Sequence, residues 1–146
     1  MSRDCADIII SVRGRFSEGM LKGTKRVELR RRVPRIDGTA RMWVYTKTPV
    51  AAVTLVTTLL AVEVLHPDEL WRKYKNVLDL ERSEYVTYVS GRDAVAALKL
   101  GEVRQLKPVT LASLRAVEPM FHPPQFYARL APSGAVLRKL EKGLKP

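Results

Sequence analysis

Apolar and polar positions alternate along much of the chain, and changes in that period mark where strands give way to helices. The β-branched run DIIISVR at residues 7–13 predicts a first strand. In RFSEGMLKG, residues 15–23, Phe16 and Met20 fall four apart on one helical face, and Gly23 is placed to end a short helix. KRVELRRR, residues 25–32, returns to a period of two. Alternation puts Lys25, Val27, Leu29 and Arg31 on one side and Arg26, Glu28, Arg30 and Arg32 on the other, with Val27 and Leu29 expected to face the core. Pro34 and Asp37–Gly38 mark a turn, after which RMWVYTK (41–47) and the Val/Thr-rich segment 48–62 predict two more strands, the second long or bent and buried on at least one face.

HPDELWRKYKN (66–76) predicts a helix opened by Pro67, with Leu70 and Tyr74 sharing one face and Trp71 and Lys75 another. SEYVTYVSG (83–91) reads as a second helix in spite of its β-branched residues. VAALKLGEVRQL (95–106) reads as strand, TLASLRAV (110–117) as helix, and QFYARL (125–130) as a strand that closes the sheet. About six strands with short flanking helices predict an α+β fold built on a small mixed β-barrel. No repeat or linker interrupts residues 1–146, so a single domain is expected.

Composition adds limits. Apolar residues are 46% of the chain and charged residues 28%, ordinary globular usage that argues against disorder. Cys5 is the lone cysteine, which removes disulfide frameworks and cysteine zinc sites and points to a reducing cytoplasm. MSRDCADIII lacks the layout of a secretory leader, and the fifteen uncharged residues at 48–62 are too few to cross a bilayer, so no membrane partner is expected.

Charge changes the picture most. The 26 Lys and Arg against 15 Asp and Glu give +11 and a pI near 10.2. Residues 13–41 hold ten basic residues against three acidic, for +7, whereas residues 62–92 hold five against six, for −1. A regional cluster of this kind is the footprint of a phosphate-binding surface, the alternative being a solvated basic face. Enzyme motifs are scarce by comparison. His66 and His122 lie far apart without HExxH spacing, so neither a metal nor a cofactor is predicted, and neither GxSxG nor GxxxxGK[ST] occurs. Trp43, Tyr45, Trp71, Tyr74, Tyr85, Tyr88 and Tyr127 include possible base-stacking rings, although core packing is the commoner fate of such residues.

The stretch GTKRVELR (23–30) resembles the G-x-K-x-x-E-x-R signature of the ASCH domain family, whose members are PUA-like barrels. Blocks similar to the family pattern follow in order: VYTKTPVAAV, LHPDELW, EYVTYVSG, LKPVTLASL and PPQFYARL. Two departures are visible, VTLVTT where many relatives place a glycine, and Phe126 where a serine commonly follows Pro-Pro-Gln. The resemblance implies a cleft beside the signature strand, proposed for the family to bind RNA. Some small members are amidohydrolases on acetylated cytidine and others are reported as nucleases. Gly23, Lys25, Glu28 and Arg30 match the signature, but deacetylating members have a threonine nucleophile where this chain has Glu28.

Two readings of Glu28 stand open. It pairs across the strand face with Arg30 or Arg26 and tempers self-repulsion, or it orients the Arg30 guanidinium or the Lys25 amine at a cleft, which requires Lys25 to sit at the strand mouth. Whether the chain is an enzyme is likewise open; if it is, Lys25 and Glu28 are the catalytic candidates, with Glu28 as a base on water. Tyr45, Thr46 and Lys47, at a strand end near Pro49, and Tyr88, four residues after Glu84, join Lys25, Glu28 and Arg30 as ligand-binding candidates. Arg26, Arg31, Arg32, Arg35 and Arg41 are candidates for tracking a nucleic-acid backbone. RNA or another single strand is the expected partner, since a small barrel admits a splayed base; the alternative is a hydrolase acting on a modified nucleoside or on RNA.

Overall fold

The isoleucine run is fully buried because both faces of its strand are covered. In the computed structural model, which describes residues 5–144, β1 (Ala6–Val12) runs parallel to β3 (Ala40–Thr46) and antiparallel to β6 (Tyr127–Arg129). A crossover separates β1 from β3: α1 (Gly14–Lys22) and the short β2 (Val27–Arg30). Next come β4 (Ala52–Leu65), α2 (Pro67–Tyr74), α3 (Arg82–Val89), β5 (Val95–Thr110), α4 (Leu111–Val117) and, after β6, α5 (Ala135–Lys142). The strand order is β2-β5-β4-β3-β1-β6. The long β4–β5 pair changes register between Val53 and Leu55, between Thr57 and Leu59, and between Leu59 and Ala61. Such irregularities bend a sheet, and here they accompany its curling into a half-barrel whose two edges, β2 and β6, leave a seam.

Alternation sorts the side chains into three cores. Ile8, Ile10, Met42, Val44 and Leu98 fill the concave interior with Met20 of α1. Ile9, Trp43 and Tyr45 point the other way and pack under α4 and α5 through Leu114, Leu137 and Leu140. Val27 and Leu29 pack with Leu70, Tyr74, Leu78, Tyr85 and Val89 beneath α2 and α3. Because Val27 and Leu29 face those helices, Glu28 and Arg30 face the concave side, at the seam.

Local chemistry sets the helix ends. The His66 ring accepts the Asp68 N–H at 3.1 Å and caps α2 ahead of Pro67. Gly23, at φ +86°, ends α1 in the left-handed conformation that glycine tolerates best. Among the described residues no helix is long and apolar enough to cross a membrane.

Three expectations need adjusting. The long strand starts at Ala52 rather than residue 48, because 47–50 form a turn and Ala51 sits at φ +51°. The signature strand is Val27–Arg30, not 25–32. The helix α5 has no counterpart among the elements expected from the sequence.

Candidate functional site

A cleft of about 1060 Å³ opens at the seam, between β2, the end of β1, α3 and the segment leading into β6. Its apolar floor includes Ile8, Ile10, Val12 and Leu98, and its charged lining comprises Arg13, Lys25, Arg30, Arg31, Arg32, Lys47 and Arg92 with Glu28 and Glu84.

Lys25 and Glu28 share this side, against strict alternation, because β2 begins only at Val27. The Lys25 N–H goes to Gly19 O on α1 at 3.0 Å and the Arg26 N–H to Val77 O at 2.8 Å, so the chain is still turning. Gly19 is needed at this crossing: a methyl on it would overlap the Asp79 carboxylate and lie 3.2 Å from Lys25 Cβ. The Lys25 ammonium is fully enclosed. It donates to Leu78 O at 2.7 Å, lies 3.4 Å from Glu28 Oε1, and sits 4.6 Å over the Phe16 ring. Burial pushes its pKa below the ordinary lysine value, with Glu28 opposing the shift.

Glu28 Oε2 accepts from Arg30 Nε at 2.9 Å and lies 2.8 Å from the Arg30 terminal nitrogen Nη2. Arg30 also crosses the seam: Nη2 donates to Ser11 O on β1 at 2.9 Å and Nη1 to Phe126 O at 3.3 Å. The Ser11 hydroxyl donates to Pro124 O at 2.7 Å and fastens the same segment from the other side. Lys25, Glu28 and Arg30 thus form one connected network that ties α1, β2, β1 and the approach to β6 together.

On α3, Glu84 is held by Arg15 of α1 at 2.6 Å, and this hydrogen bond is the main reason its carboxyl titrates below the ordinary value. Tyr88 lies one turn further along and donates to Leu29 O at 3.4 Å. Arg31 stacks on Tyr88 with its guanidinium carbon 4.6 Å from the ring centre, and Arg32 on Phe126 at 4.3 Å.

The cleft therefore brings together Lys25, Glu28, Arg30, Lys47, Tyr88, Arg31 and Arg32. Tyr45 and Thr46 lie elsewhere. Tyr45 is buried under α4 and α5, where loss of solvent raises its pKa, and the Thr46 hydroxyl pairs with that of Thr54 at 2.8 Å. Arg26 and Arg35 are exposed outside the lining. Arg41 is held by Asp7 and Glu141, each at 2.5 Å, and lies over Trp43. Arg13, Arg92 and Phe126, absent from the expected site, line the cleft; Phe126 was visible in the sequence as a departure from the family pattern. Among the described residues no three His, Cys, Asp or Glu side chains gather as a metal site would require.

No family model matches the chain. It is 28% identical to the crystal structure of ASCH from Zymomonas mobilis, which superposes with a TM-score of 0.88 over 94% of each chain. The N-terminal domain of Staphylothermus marinus McrB, 9% identical, shares the fold alone, with a TM-score of 0.62 over 94% of each chain. An ASCH domain-containing ribonuclease from Zymomonas mobilis is 30% identical over 122 residues, spanning 84% of this chain and 82% of that protein. Relationship along that length agrees with the signature residues standing together at the seam, and the chain belongs to the ASCH domain family.

Proposed function

We propose that this chain binds RNA in the seam cleft. The observation that carries the reading is the charge of the lining, seven cations against two carboxylates. Both carboxylates are already occupied, Glu28 by Lys25 and Arg30 and Glu84 by Arg15. Arg13, Arg31, Arg32, Lys47 and Arg92 enter no ion pair among the described residues. Positive charge in a concave site with apolar walls is focused rather than dispersed, and phosphate is the ligand group that answers it. The ribonuclease name of the Zymomonas mobilis relative favours RNA as the phosphate polymer.

Cleavage of the bound strand is a second reading, favoured by the same name. Attack of a ribose 2′-hydroxyl on the adjacent phosphorus needs a group to take the hydroxyl proton, cations beside the phosphorane, and a donor for the departing 5′ oxygen. Lys25, whose amine burial makes easier to deprotonate, and Glu28 are the proton-transfer candidates, with Arg31 and Arg32 as the cations. Amide hydrolysis in the manner of the deacetylating members has less support, because Glu28 offers no hydroxyl nucleophile.

The test is titration of labelled RNA into the full chain at several salt concentrations, with the RNA run on a gel afterwards. Contact with about four to six phosphates gives a slope of log K against log[salt] near −3 to −4. Arg31→Glu with Arg32→Glu weakens binding to all sequences alike while the melting temperature holds. Absence of RNA binding, or binding indifferent to salt, overturns the proposal; fragments on the gel favour the second reading.

A further inference from the structure

We infer that the cleft reads unpaired bases, with Tyr88 and Phe126 as two stacking platforms that each hold one of two neighbouring nucleobases on either side of the Arg31–Arg32 step. This rests on the RNA reading above.

The aromatic residues divide cleanly. Trp43, Tyr45, Tyr74 and Tyr85 are core residues, and Phe121 and Trp71 pack against the cores under α4–α5 and α2–α3, outside the cleft, which leaves Phe16, Tyr88, Phe126 and Tyr127 in the cleft lining. Phe16 has Lys25 over its ring at 4.6 Å and Arg15 at 4.9 Å. The Tyr127 hydroxyl accepts the Arg35 N–H at 3.0 Å, and its ring packs on the inner core. Tyr88 and Phe126 remain, and the group lying over each is the guanidinium of an exposed arginine.

A guanidinium is flat and stacks on a ring much as a base does. Each arginine thus marks a ring face that accepts a planar group and can be vacated toward solvent, where the displaced cation meets the phosphate of the base that replaces it. Both rings are held in place. Phe126 is 46% exposed, yet its segment is clasped by Arg30 on Phe126 O and by Ser11 on Pro124 O. Tyr88 is set by α3 and by its hydroxyl on Leu29 O. Arg31 and Arg32 are consecutive, about 3.8 Å apart at Cα, so the rings they reach flank a single point of the chain. Two rings so placed suit two bases splayed apart, which a duplex cannot offer because its bases are stacked on one another.

Three labelled probes of about twelve nucleotides, within the usual site size, separate the possibilities by fluorescence anisotropy: a single-stranded RNA, the same strand in a duplex, and an abasic strand of equal charge. The expected result is that the single strand binds tightest. Tyr88→Leu and Phe126→Leu each weaken it by about 5- to 100-fold, leave the abasic strand and the salt slope unchanged, and Tyr88→Phe recovers what Tyr88→Leu loses. The abasic probe also reports folding, since a misfolded variant loses that binding too. Leucine variants that bind the single strand as the parent does, or a duplex bound as tightly, overturn the stacking inference and leave RNA binding standing. A loss confined to one variant overturns the two-base count, and a parent protein that binds none of the probes overturns both readings.

Discussion

Glu28→Gln removes the negative charge from the signature network with little change of shape, and the structure sets how much that costs. The Lys25 side chain is 1% exposed and that of Arg30 17%, and Glu28 is the carboxylate between them. Deleting one partner of a buried ion pair costs about 3–5 kcal/mol, because the charge left behind has no compensation. Glutamine still offers Arg30 an acceptor, which returns about 1 kcal/mol. The net loss is about 2–4 kcal/mol. At about 3 °C per kcal/mol for a domain of this length, the melting temperature should fall by about 6–12 °C, read by circular dichroism and checked by urea titration.

Lys25→Met is the companion, since methionine fills similar space without charge. If the two residues belong to one network, the double variant should lose less than the sum of the singles, with a coupling of about 1–3 kcal/mol. A Glu28→Gln protein that melts within about 2 °C of the parent, or single losses that simply add, would refute the reasoning and leave Glu28 without a stabilising role in the network.

The remaining predictions concern groups outside the signature network. Arg41→Gln should cost about 1–2 kcal/mol, discounted for partial exposure, by loosening Asp7 and Glu141, and should leave the salt slope of RNA binding at the parent value; a shallower slope would put Arg41 on the nucleic acid. Lys73 and then Tyr74 hold Glu63 below the ordinary carboxylate value of 4.5, and Arg15 does the same for Glu84. The folded state therefore binds fewer protons there than the unfolded state, so this stabilisation is complete above pH 4.5 and lost as pH falls through the lower folded values. Melting temperatures taken from about pH 6 to about pH 3 should fall less steeply in Glu63→Gln with Glu84→Gln, and parallel slopes would contradict the assignment.

Much of the sheet was legible because its signals are local. The isoleucines at 8–10, the Val27/Leu29 alternation, Pro67 opening α2 and Gly23 ending α1 act over a few residues, and each fell where its chemistry placed it. Longer-range arrangements were not. Strand alternation carried through Lys25 puts it on the face opposite Glu28, whereas its N–H bonds to Gly19 on α1 and removes it from the ladder. Tyr45 and Thr46 stand at a strand end, where clefts commonly open, but here the opening is a seam between edge strands that only sheet order reveals. Arg41 looked like one cation among many until Asp7, 34 positions earlier, and Glu141, 100 positions later, closed on it. The helix α5 leaves a short local signal, Leu137 and Leu140 three apart among Arg138, Lys139 and Glu141.

Why one carboxylate stands among the cations of residues 25–32 follows from where the donors of Arg30 go. A guanidinium has five N–H groups. Those of Arg30 face Glu28 through Nε and Nη2, Ser11 O through Nη2, and Phe126 O through Nη1. Little of it is left for a ligand. Glu28 fixes the plane of that guanidinium and Lys25 closes the network against Leu78 O, so Arg30 serves better as a clasp between β2 and the opposite edge than as a grip on phosphate. The clasp matters because the half-barrel has no backbone ladder between β2 and β6; side-chain donors on backbone carbonyls take the place of the missing strand pairing across the cleft. Arg31 and Arg32, free of ion pairs among the described residues, follow directly after this clasp and lie over Tyr88 and Phe126. If RNA binds as proposed, the signature specifies the frame and the residues just after it are the ones that would meet the ligand, so Arg31 and Arg32 could change with the ligand while changes at Lys25, Glu28 and Arg30 weaken the seam.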